Sequence, residues 1–119
     1  MTPDKPRHRD ELIITGDRLT LQCTNKPPVS LRARDVVAIW YDYNPFGWMH
    51  ANSLRLVCLL ENGRTFIEVY DAQQTKRQLL AWLHQHFHSP VASRYQQLWG
   101  SPGGDYPSVQ LWVADSPGA

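Results

Sequence analysis

The chain has 119 residues, enough for one hydrophobic core without disulfides or metal to hold it. Twelve Lys and Arg stand against eleven Asp and Glu, so no net field draws in nucleic acid or anionic lipid, and a nucleic-acid partner is not expected. No apolar run approaches a membrane-spanning length, and the opening MTPDKPRHRDE lacks the apolar core of an export signal, so a cytoplasmic setting is expected.

Residues 1–10 are polar, charged and proline-containing, and read as an N-terminal arm ahead of a domain over 11–99. ELIIT and RLTLQCT flank Gly16-Asp17 and predict a hairpin, with Leu19, Leu21 and Cys23 on one face. After the breaker NKPP, VSLRA predicts a third strand, and VVAIWYDY a longer apolar one after Arg34-Asp35.

SLRLVCLLE and RTFIEVY meet at Asn62-Gly63, the dipeptide a two-residue type I′ turn prefers because both central residues need positive φ. That turn predicts the pairs Glu61–Arg64, Leu59–Phe66, Val57–Glu68 and Arg55–Tyr70 on one face. Leu56, Cys58, Ile67 and Val69 fall on the uncharged face, the predicted core side. Cys23 and Cys58 both lie in apolar alternating segments and read as buried free thiols, with a disulfide between them the rival reading, for which a domain without an export signal has little need.

From Asp71 to His88 the period changes to that of a helix, with Leu79, Leu80, Leu83 and Phe87 on one stripe. Asp71 is the expected N-cap, Gln74 the expected capping-box partner, and Ser89-Pro90 the expected stop. Residues 91–99 add at most a helical turn in this reading. GSPGGDYP is a linker by composition, and SVQLWVAD beyond it could form a strand that folds back, so residues 100–119 read as a tail with an extra strand.

The elements expected are mainly β: five or six strands followed by one C-terminal amphipathic helix. LIITGDRLTLQ, VSLRARDVVAIW, LRLVCLLENGRTFIEVYD and AQQTKRQLLAWLHQHF together resemble the bacterial pleckstrin-homology-like (PH-like) domains over roughly residues 11–88. The resemblance implies an antiparallel, six- to seven-stranded bent sheet or partial barrel capped by the amphipathic helix, and a binding or scaffolding module instead of an enzyme; no cofactor is expected. The first hairpin departs from phosphoinositide-binding members, carrying only Arg18 and Lys26 where they have a basic cluster.

No residue is assigned a catalytic role: G-x-S-x-G, a phosphate loop and a dinucleotide fingerprint are all lacking, and neither cysteine has a basic neighbour in sequence to activate it. On a helix reaching His88, His84 and His88 stand one turn apart, the spacing of a two-histidine metal pair. No third ligand is near in sequence, and a helix C-terminus attracts histidines by its dipole, so no metal site is assigned.

The candidate partner-binding residues are Tyr43, Phe46, Trp48 and Met49 in YDYNPFGWMH, together with Leu59 and Phe66 on the outer face of the second hairpin. For Phe46 and Trp48 two uses fit: plugging an open end of the barrel, or anchoring a partner. For Leu59 and Phe66, an apolar centre with a charged rim has the composition of an interface, unless SVQLWVAD covers it. A protein partner or a second copy of the chain is the expected ligand. The alternative, a lipid surface, would use the same aromatic loop together with Arg18, Lys26 and Arg55.

Overall fold

The computed structural model describes residues 11–22, 27–43, 52–61, 63–100 and 108–114. The N-terminal arm, Cys23, Lys26, Asn62 and the linker from 101 to 107 lie outside them, as does the 44–51 segment with Phe46, Trp48 and Met49. The chain folds as expected into a mainly β, antiparallel structure with helix packed on it. Among the described residues the strands divide into two sheets, accompanied by two α-helices.

The first sheet is a meander of β1 (Glu11–Thr15), β2 (Arg18–Gln22) and β3 (Val29–Arg32). Thr15 pairs with Arg18 across the two-residue turn, and Gly16 takes φ +62°, the left-handed conformation that favours glycine there. Alternation does the rest: Leu12, Leu19, Leu21 and Leu31 are buried, Leu12 opposite Leu21 and Leu19 opposite Leu31.

A single 3-10 turn, Ala33–Asp35, leads into the second sheet, which holds β4 (Val36–Asp42), β5 (Ser53–Leu60), β6 (Gly63–Tyr70) and β7 (Ser108–Val113) in the order β6-β5-β4-β7. β4 does not alternate strictly, since Val36, Ile39 and Tyr41 are its buried residues. The pairing with β5 shifts between Val36 and Ala38, and that bulge inverts the side-chain parity, putting Ile39 and Tyr41 on the same face as Val36. A second irregularity, opposite β7 between Ile39 and Trp40, sets Trp112 across from Ile39.

The β5–β6 register differs from the expected one. Leu60 pairs with Gly63, so the connection is Glu61 and Asn62, and Gly63 begins β6 with φ +122°. Moving the turn centre back one residue replaces Leu59–Phe66 by Leu59–Arg64 and Val57–Phe66, and Arg55 lies opposite Glu68. The expected Glu61–Arg64 pair is not formed in this ladder. The shift is even, so every side chain keeps its predicted face: Leu54, Leu56, Cys58, Ile67 and Val69 are buried. Burial also pushes the Cys58 thiol up to about 11, the state of an inert core cysteine.

Helix α1 (Gln73–His86) follows, but Asp71 does not cap it. The N-cap is Ala72, whose side chain can accept nothing. Its buried stripe is Thr75, Leu79, Trp82 and Leu83, spaced i, i+4, i+7, i+8; Leu80 and Phe87 flank it half-buried. Gln78 Nε2 donates to the Leu12 carbonyl at 3.4 Å and His86 Nε2 approaches the Gly16 carbonyl at 3.2 Å, laying α1 along β1.

Ser89-Pro90 opens a second helix, α2 (Ser89–Leu98), instead of merely ending the first. Proline fits a first helical turn because the backbone N–H it lacks would have no intrahelical acceptor. Val91, Ala92 and Tyr95 are buried against the core.

Asp71 has another task. Its Oδ2 accepts hydrogen bonds from the Tyr41 hydroxyl on β4 and from the Gly100 N–H at 2.8 Å, just past α2, and that N–H also reaches the Tyr41 oxygen at 3.0 Å. One carboxylate thus ties the sheet, the β6–α1 junction and the end of α2. Burial raises its pKa above the ordinary 3.8, outweighing the Tyr41, Gly100 and Lys76 interactions that lower it. A raised folded-state value means the native state holds the proton more tightly. The group's contribution to stability is therefore fully present below about pH 4 and is lost as pH rises through the folded value. Urea titrations from pH 4 upward should show wild type losing stability relative to Asp71→Asn. Parallel curves would contradict the raised value.

Candidate functional site

Strand order decides what the second sheet shows to solvent. With Tyr95 of α2 packed against Tyr41 on its inner side, the sheet shows its outer face in rows across β6, β5, β4 and β7. One row is Phe66, Val57, Ala38 and Val113, an unbroken apolar line over all four strands. Phe66 and Val113, its two ends, are each 55% exposed, and Leu59, one step along β5 from Val57, is 51% exposed. Leu60 at the turn is also exposed.

The neighbouring row is Glu68, Arg55, Trp40 and Gln110. Arg55 binds the Asp42 carboxylate through two nitrogens, Nε at 2.8 Å and Nη2 at 3.1 Å, and its guanidinium carbon sits 5.4 Å from the centre of the Trp40 ring. Asp42 also accepts from the Ser108 hydroxyl at 2.7 Å, which fastens β7 to β4 on this face. The Asp42 hydrogen bond holds the Arg55 guanidinium in its charged form still more firmly. The face is therefore an apolar band with a bound charge network on one side and Arg64 and Glu61 near the β5–β6 turn.

Within SVQLWVAD, Ser108–Val113 does form a strand, but it does not cover Leu59 and Phe66. It pairs with β4, at the edge opposite β6, with Trp112 turned inward against Phe87 at a ring separation of 4.9 Å. Trp112 thus finds its burial within the edge strand itself, and Val113 extends the exposed band.

The remaining sequence candidates are scattered. Tyr43 is half-buried with its ring edge-on to Tyr41 at 5.4 Å, so it packs on the core. Arg18 lies exposed on β2 in the other sheet from Arg55, and Lys26 is outside the described residues. The His84–His88 spacing does not survive, because α1 ends at His86 and His88 becomes the N-cap of α2. Among the described residues no three of His, Cys, Asp or Glu gather as a metal site would require. Among them, too, no helix is long and apolar enough to cross a membrane.

The chain matches no family model, no curated protein and no solved structure.

Sequence reading found Leu59 and Phe66 but missed Val57, Ala38 and Val113. The register shift brings Val57 opposite Phe66, and only the β4–β7 pairing brings Val113 into line. Nothing in the local pattern of SVQLWVAD signals that placement.

Proposed function

We propose that this chain is a protein–protein interaction or scaffolding module of PH-like type, working in the cytoplasm, that docks partners on the outer face of its four-stranded sheet. The observation that carries this reading is the apolar row Phe66, Val57, Ala38 and Val113 with Leu59 beside it, left open across the whole sheet. A contiguous exposed apolar band with a charged margin has the anatomy of an interface, and an aromatic such as Phe66 is the kind of anchor that dominates one.

A second copy of the chain is the simplest partner. Arg64 and Glu61 carry opposite signs at the same end of the band, so a two-fold related copy can set one against the other. The lipid alternative draws less support, because Arg55 is already committed to Asp42 and Arg18 lies in the other sheet.

The test is sedimentation velocity of wild type and of a Leu59→Asp/Phe66→Asp variant, joined to affinity capture from cell lysate. Both residues are exposed, so the variant should melt as wild type does. Association, with itself or with a captured protein, should weaken by about thirtyfold or more, the loss of an interface anchor. Equal association by both proteins rejects this face. Sedimentation of wild type with anionic liposomes, unaffected by the substitutions, would favour the lipid surface instead.

A further inference from the structure

A second recessed surface shares no residue with the exposed band. Where the β1–β2 turn, the 3-10 turn, the junction of the two helices and the end of β7 converge, they leave a cleft of about 570 Å³. That volume is within the range of small-molecule sites. Its apolar part is built from Phe87 and Trp112, packed edge to face, with buried Val36 beside them.

The polar part is predominantly basic. Arg34, His86 and His88 line the cleft and, among the described residues, the one carboxylate lining it is Asp17. Arg34 is exposed on the 3-10 turn and makes no ion pair among the described residues. His86 is held by the Gly16 carbonyl; a carbonyl can only accept, so Nε2 carries the hydrogen in that contact and the ring has a defined position. His88 is the N-cap of α2, and the N-terminal end of a helix dipole favours negative charge. The C-terminal end of α1 works in the opposite sense. Its last turn carries His84 and His86, and the Leu83 carbonyl is already satisfied by the Phe87 N–H at 2.9 Å.

We propose that this cleft binds a small organic carboxylate with an aromatic or other apolar body. The body lies against Phe87 and Trp112, and the carboxylate meets the Arg34 guanidinium, whose planar fork matches it with two hydrogen bonds. Inorganic phosphate would leave the aromatic surface unused, and an aromatic amine would face Arg34 with like charge. The ligand class follows from having both halves in one cleft.

The test is nuclear magnetic resonance titration of the whole chain with phenylacetate, benzylamine and inorganic phosphate as separate probes. Phenylacetate should shift the backbone signals of residues 33–36, 86–88 and 112–114 and the Trp112 indole, saturably, by about 10 mM, where even millimolar binders approach saturation. Arg34→Gln, checked for an unchanged melting temperature, should weaken that binding by about tenfold or more, the loss of a charge-assisted pair. Asp17→Asn should leave it unchanged or tighten it, since it removes an opposing carboxylate from the cleft.

The proposal is overturned if phenylacetate produces no saturable shift, if Arg34→Gln binds it as wild type does, if Asp17→Asn abolishes binding, or if benzylamine or phosphate binds as tightly. None of these outcomes depends on association through the exposed sheet face.

Discussion

Replacing Trp82 by alanine is expected to lower the unfolding free energy by about 3–5 kcal/mol, the usual range for deleting a buried aromatic. Trp82 is 2% exposed and sits where α1 meets the core, 5.5 Å from the Phe87 ring and 5.7 Å from that of His86. Its ring supports the side chain that backs Trp112, so the cavity would open toward β7 as well as beneath α1. Phenylalanine at the same position should cost much less. The Trp82 indole N–H is buried and unbonded among the described residues, and removing it offsets part of the lost volume. Urea unfolding of the two variants measures the difference. Equal losses for Trp82→Ala and Trp82→Phe would mean the aromatic packing is not what matters there.

Tyr41 should show a similar total effect divided differently. It is fully buried, its ring lies edge-on to Tyr43 and 5.9 Å from Tyr95, and its hydroxyl is bound to Asp71. Burial, together with that carboxylate, raises its pKa, so the phenol stays protonated and remains a donor throughout the ordinary range. Tyr41→Phe keeps the ring and removes the donor, leaving the partly buried Asp71 carboxylate with the Gly100 N–H. A loss of about 1–2 kcal/mol is expected. Tyr41→Ala removes the ring as well and should reach about 3–5 kcal/mol. If Tyr41→Phe matched wild type in urea, the hydrogen bond to Asp71 would contribute nothing net.

Much of this architecture can be read from residue order. Alternation in ELIIT, RLTLQ and SLRLVCLL places the inward leucines correctly, because a strand with one buried face can tolerate little else. The same rule protected the face assignment of β5 and β6 even though the turn was displaced. Asn62-Gly63 suggests a turn centred on itself, whereas Gly63 uses its conformational freedom as the first residue of the strand.

The helices are less legible in the sequence, for a definable reason. Ser89-Pro90 is equally suited to stopping one helix and starting another, and only the spacing of Val91, Ala92, Tyr95 and Leu98 distinguishes the two. Trp82 is on the buried stripe with Thr75, Leu79 and Leu83; the expected stripe shares Leu79 and Leu83 with it but is rotated toward Leu80 and Phe87, away from Trp82. Asp71 has the chemistry of a cap, and a distant tyrosine and a later glycine claim it instead. Such long-range competition leaves no local trace, and the same holds for the row that ends at Val113.

The β4–β7 pairing joins Ala38 to Val113, positions separated by more than half of the chain. During synthesis, therefore, the β5–β6 hairpin and both helices are complete before the last strand of the larger sheet exists. Until residue 113 has left the ribosome, one side of VVAIWYD has no neighbour to receive its backbone hydrogen bonds. The nascent chain spends that interval with VVAIWYD as a bare edge, open to pairing with any other extended segment nearby.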